Sequence, residues 1–167
     1  MGSLKNDCVL TRRPLQDKRD QIIPTITKMV KERITVRDQA IRIQGFSMST
    51  KFNSLPWHDA ELLSINVDRS NAGNSDTVSL VVKWPDGNRN SIVFSDCYLL
   101  DAKMNFGVVA EESILEAICF DEGEKISEVK GKWQPLGVKL DSICCYRIIT
   151  NSTNSQIDIY ALSYALS

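Results

Sequence analysis

A chain of 167 residues, 43% apolar and 25% charged, has the length and balance of one ordinary globular domain, which excludes disordered, fibrous and disulfide-stapled classes. No run approaches the roughly 18 uninterrupted apolar residues of a membrane-spanning helix, and Met1–Asp7 lack the apolar core of a secretory signal, so a cytoplasmic protein with no membrane partner is expected. The net charge of −1 hides an asymmetry: residues 1–47 carry ten Lys/Arg against five Asp/Glu, while residues 48–167 carry ten against sixteen.

That shift divides the chain into a basic N-terminal arm or leader, 1–47, and a domain, 48–167. Within the arm, Arg12-Arg13-Pro14 breaks any regular element, and a helix is predicted over 20–33. Asp20 is its N-cap, Pro24 lies in its first turn, and Ile22, Ile26 and Val30 form its apolar stripe. Residues 34–43 fit helix or strand equally. The basic side chains alternate with Asp17, Asp20, Glu32 and Asp38, and no aromatic residue precedes Phe46. That pattern describes a solvated helix face better than a nucleic-acid surface, which needs clustered charge and stacking groups. Met48-Ser49-Thr50-Lys51 reads as the beginning of the domain.

From Leu55 onward the period becomes two. Glu61–Asp68 is a predicted strand with Leu63, Ile65 and Val67 on one face, followed by a Ser70–Asp76 loop. Thr77–Trp84 is a second strand showing Val78, Leu80, Val82 and Trp84 to one side. Pro85-Asp86-Gly87-Asn88 is a turn, and Ser91–Leu100 completes a hairpin with Ile92 and Phe94 inward. Asp101–Val109 reads as a connection laying Met104 and Phe106 over the core. Ile114–Phe120 is a short strand; an acidic loop and a brief helix over Lys125–Trp133 follow, ended by Gln134-Pro135-Leu136-Gly137. Ser142–Thr150 and Gln156–Leu166 form the last hairpin around an Asn151–Ser155 turn.

The expected fold is therefore α+β, mainly β: an antiparallel meander sheet of about six strands with one or two short helices, plus the helical arm. Alternating βα units, glycine-rich phosphate loops and repeats are absent from the sequence. The five cysteines, Cys8, Cys97, Cys119, Cys144 and Cys145, are odd in number and lack a Cys-x-x-Cys spacing, so they read as structural thiols. His58 is the only histidine and no ligand cluster surrounds it; no metal site and no cofactor are expected.

Three groups of residues invite a functional reading. His58 beside Asp59 suggests proton transfer, because a carboxylate orients an imidazole. No nucleophile in a recognisable context accompanies them, so a cap or turn leading into the first strand is the simpler account. Glu111, Glu112, Glu122 and Glu124, with Asp121, form an acidic rim suited to steering a basic partner. Trp57 and Trp133 stand at element ends, where an aromatic ring can serve as an interface anchor.

The run Leu55-Pro56-Trp57-His58-Asp59-Ala60-Glu61-Leu62-Leu63-Ser64-Ile65, followed by Ile92-Val93-Phe94-Ser95-Asp96-Cys97, resembles small uncharacterised bacterial β-rich proteins. Some of these look like immunity proteins of polymorphic toxin systems or cargo of mobile gene cassettes. The resemblance covers roughly residues 55–120 and the final hairpin, and leaves out residues 1–47. It implies a non-catalytic binding protein that masks a partner, with no catalytic residue to carry over. The expectation is a binding module for a basic protein. Two alternatives stand beside it: a small-ligand-binding or enzymatic domain using His58 and Asp59, and a homo-oligomer joined through a sheet edge, with the last strand as the candidate edge.

Overall fold

Apolar alternation builds six strands. The computed structural model describes residues 48–73 and 75–167, so the arm and its predicted 20–33 helix lie outside the described residues. The strands are β1 (Glu61–Asp68), β2 (Thr77–Lys83), β3 (Arg89–Lys103), β4 (Ile114–Phe120), β5 (Cys144–Thr150) and β6 (Gln156–Leu166). They form one sheet in the order β1-β2-β3-β6-β5-β4, every pair antiparallel. Two three-stranded meanders thus meet along β3 and β6, in a ladder running from Ile92 opposite Leu166 to Lys103 opposite Gln156. Because β6 lies between β3 and β5, its Gln156–Ala161 part is paired on both sides, while Leu162–Leu166 is paired with β3 and not with β5. The edge expected on the last strand is thus confined to its Leu162–Leu166 end.

On β2 the predicted face is observed: Val78, Leu80, Val82 and the following Trp84 are all buried. The turn to β3 uses Gly87 at φ 88°, and Asn88 N–H donates to the Asp86 carboxylate at 2.9 Å. β3 runs further than Leu100 because it follows β6, with a bulge between Cys97 and Leu99. On β1 a bulge between Leu62 and Ser64 shifts the phase. Leu62 is consequently buried and Leu63 is turned outward, contrary to the alternation read from the sequence.

The two edge strands do not stay apart. Ile114 N–H donates to Ala60 O at 2.7 Å, Leu62 N–H to Glu112 O at 2.8 Å, and Asp59 N–H to Ile114 O at 3.2 Å. Further along β4 the partner is a side chain. A short helix that the sequence did not signal, α1 (Met48–Asn53), ends at Asn53, whose Oδ1 accepts from Cys119 N–H at 2.6 Å while its Nδ2 donates to Cys119 O at 3.4 Å. A carboxamide has the same donor and acceptor as a peptide group, so it stands in for the missing strand. Residues 48–62 therefore run along the β4 edge and cover it.

Six residues of helix are unstable alone, and tertiary contact holds them. Phe52, fully buried, lies 4.7 Å from the Trp57 ring, 5.0 Å from Tyr146 and 5.3 Å from Tyr164, centroid to centroid. The Trp57 indole N–H donates to Phe52 O at 2.7 Å. Trp57, a candidate surface anchor in the sequence, is therefore a core residue.

The second helix, α2 (Glu124–Trp133), covers the opposite face. Its Ile126 and Val129 pack with Val138, Leu140, Ile143, Cys145 and Tyr160. This cover explains why Ile157 to Ala161 of β6 are all buried, although their sequence alternates. Next to Tyr160 on that face lies Asp158, nearly enclosed, which accepts from Arg147 Nε at 2.8 Å and Nη2 at 2.7 Å. The guanidinium sits 5.2 Å from the centre of the Phe120 ring.

Truncating Phe52 to Ala is expected to cost about 3–5 kcal/mol, and Asn53→Ala about 1–2 kcal/mol, through the cavity left and the unpaired Cys119 peptide respectively. Chemical denaturation of the two variants measures both.

Candidate functional site

The connection from β3 to β4 has to pass from the middle of the sheet to its edge, across the end of the β5–β6 hairpin. The hairpin turn, Asn-Ser-Thr-Asn-Ser at 151–155, is dense in hydroxyls and amides, and these fasten the connection. Asn105 N–H donates to Ser155 Oγ at 2.9 Å, and Asn105 Nδ2 donates to Thr153 O at 2.9 Å. At the other end Thr153 Oγ1 donates to Glu112 Oε1 at 2.6 Å, Ser152 Oγ donates to Glu111 O, and Asn151 N–H donates to Ser113 O at 2.8 Å. Thr150 and Ser155, both buried, tie the turn to itself.

Between these two fastenings the chain projects. Met104 packs against the core as expected, but Phe106 does not: it is 83% exposed, and Val109 is fully so. Gly107, at φ 95°, turns the tip in a conformation that disfavours other residues. Leaving a Phe side chain in water forgoes roughly 1.5–3 kcal/mol of burial. Folding therefore gains nothing from the position of Phe106, Val108 and Val109, and clustered exposed apolar groups mark contact surfaces.

The sequence candidates separate into groups. His58, Asp59, Glu111 and Glu112 come together at the start of β4, because Asp59 pairs with Ile114 and Leu62 pairs with Glu112. Asp59 takes a left-handed conformation, φ 63°, and its Oδ2 lies 3.0 Å from His58 Nδ1. The side chains are 76% and 77% exposed, so water screens the pair. It lacks the dry enclosure that makes electrostatic catalysis effective. Glu112 is engaged by Thr153, whereas Glu111 uses only its backbone carbonyl in the fastening.

Glu122 and Glu124 lie at the opposite end of β4, roughly 20 Å away by strand rise, with Glu124 opening α2. Trp133, at the end of α2, is half-buried against Tyr98 with ring centroids 5.1 Å apart. The acidic residues thus do not make one rim. Among the described residues no group of three or more His, Cys, Asp or Glu is placed to hold a metal ion, and no helix is long and apolar enough to cross a membrane. The sequence reading missed Phe106, Val108 and Val109 as surface residues; the hydroxyl-rich 151–155 turn was the available signal, since such a turn can hold a neighbouring loop. No protein-family model matches the chain, and no match is found among curated proteins.

Replacing Thr153 by Val removes its hydroxyl from both Glu112 and Ser155. Amide exchange over residues 105–113 is expected to quicken by roughly tenfold while the global unfolding midpoint moves little, which hydrogen-exchange mass spectrometry reads directly.

Proposed function

We propose that the protein is a non-catalytic binding module that masks a basic protein partner, in the manner of a toxin-neutralising immunity protein. The observation that carries this reading is the exposed Phe106–Val109 tip on a connection hydrogen-bonded at both ends. A loop held before binding loses little further entropy on contact, and an aromatic side chain entering a pocket is a common source of binding energy. The tip supplies the apolar centre. Glu111, Asp59 and the turn-side Glu112 supply an acidic border, which steers a positively charged partner and rejects acidic ones. The excess of acid over base in residues 48–167 works in the same direction.

The enzymatic alternative draws no support from His58 and Asp59, whose shared exposure leaves a substrate nothing to be enclosed by. Self-association keeps two candidate edges, the Leu63–Asp68 part of β1 beyond its pairing with Glu112 and the Leu162–Leu166 end of β6, which β5 does not pair. Light scattering of the purified chain distinguishes that arrangement from a monomer awaiting a partner.

The test uses the product of the adjacent gene, co-expressed with this chain. Wild type is expected to relieve its toxicity and to bind it with an affinity that falls as salt rises. Phe106→Ala with Val109→Ser is expected to weaken binding by at least roughly thirtyfold, the effect of losing an anchor worth about 2 kcal/mol. Glu122→Gln with Glu124→Gln, at the far end of β4, is expected to leave binding unchanged. Binding that survives loss of the tip, or that follows Glu122 and Glu124 instead, rules the reading out.

A further inference from the structure

The last strand is paired further on one side than on the other. β3 accompanies it as far as Leu166, but β5 leaves it at Ala161, opposite Cys144. Just before Cys144 the chain is folded into a turn, with Ile143 N–H donating to Leu140 O at 3.3 Å. Leu162–Leu166 therefore borders a notch in the sheet, where a longer β5 would continue.

The direction of the backbone groups there follows from the end of the ladder. Ser91 and Ser167 exchange both peptide hydrogen bonds, at 2.8 and 2.9 Å. An antiparallel ladder alternates such pairs with unbonded ones, so Ala165 and Ser163 bond to β3 while Leu166 and Tyr164 aim their N–H and C=O groups into the notch. Those groups meet no partner among the described residues. Free edges are ordinarily blunted by lysine, proline or an inward charge, and Leu162-Ser163-Tyr164-Ala165-Leu166 has none of these. Leu166 is 43% exposed, although Ile92 opposite it is fully buried.

The nearest chain end is the one that leads into α1. Phe52 of α1 packs on the Tyr164 ring, with centroids 5.3 Å apart, and Met48 lies one helical turn earlier. Whatever precedes Met48 thus arrives beside the notch. Residues 34–43, Ile-Thr-Val-Arg-Asp-Gln-Ala-Ile-Arg-Ile, lie outside the described residues. Their sequence holds no Pro or Gly, half of it is β-branched, and Ile41 and Ile43 flank Arg42 at a period of two. The Gln44–Ser47 link to α1 reaches up to roughly 17 Å, enough to cross from one to the other.

We propose that residues 34–43 supply a seventh strand, which pairs in cis with Leu162–Leu166 and closes the notch. The pairing gives Tyr164 and Leu166 their hydrogen bonds and sets the Ile41–Ile43 alternation beside Leu166. The short link holds the segment at high effective concentration, so it outcompetes a strand from a second molecule. It also decides between helix and strand for 34–43, which the sequence alone fits equally: an apolar alternation becomes a strand where an open ladder lies within reach. The folded unit then begins before Met48, and of the two candidate edges only that of β1 stays open to a second copy.

The test uses the full chain in solution, isotopically labelled for NMR. With the strand in place, the Tyr164 and Leu166 amides should exchange with deuterium at least roughly hundredfold more slowly than in an unstructured peptide, as Ala165 does. An open edge gives alternation instead, with Ser163 and Ala165 slow and Tyr164 and Leu166 fast. Nuclear Overhauser effects should connect the Tyr164 and Leu166 amides to backbone protons within 34–43, and mixing labelled with unlabelled chains should show them to be intramolecular. Thr35→Pro, Val36→Pro, Ile41→Pro and Arg42→Pro together put two adjacent prolines at each end, so that one of each pair faces β6 whatever the register. That variant is expected to speed exchange at Tyr164 and Leu166 at least roughly tenfold while Ala165 keeps its protection. Alternating exchange in the wild type, Overhauser contacts to another segment or only between chains, or protection that survives the prolines would each overturn the proposal.

Discussion

A sheet of six strands has two edges, and this fold depends on how one of them is closed. Residues 48–62 lie along β4, pairing through main chain at Asp59–Leu62 and through the Asn53 carboxamide at Cys119. The same segment carries Phe52 into the interior, where its ring meets residues from both meanders: Phe94 on β3, Tyr146 on β5 and Tyr164 on β6. Edge satisfaction and core filling are thus one event. An exposed row of β4 peptide groups and an unfilled concave face would otherwise occur together, and each alone is costly.

Much of this was legible in the sequence where structure is local. The bounds of β1, β4 and β6 follow from alternation, and the buried face of β2 is the one its Val78, Leu80, Val82 and Trp84 describe. The illegible parts are those set by distant partners. A bulge reverses the side of Leu63, and nothing within β1 announces it. The adjacency of β3 and β6 joins segments more than fifty residues apart. α1 is too short and too weakly patterned to be read without the β4 edge it serves.

The site illustrates the same division at the level of side chains. Charge and a His-Asp pair draw attention in a sequence, and four of the acidic or basic candidates do converge at the start of β4. Aromatic residues are harder to place. Trp57 and Phe106 look alike as large apolar groups near turns, yet one is locked inside by its indole hydrogen bond and the other projects. What separates them is a set of hydroxyl and amide contacts from the 151–155 turn, nearly fifty residues after Phe106. Hydrophobicity alone carries no record of such a clamp.

The place of β6 has a consequence for the order of assembly. It comes after every other strand in the chain, yet it stands at the centre of the sheet with a neighbour on each side. Until β6 is present, β3 and β5 expose inward-facing edges, and the two halves have no common seam. Because so much of the pairing joins remote segments, nucleation is slow compared with that of a simple hairpin stack. During synthesis the ribosome therefore releases two sticky half-sheets before their keystone, an interval in which a chaperone has most to protect.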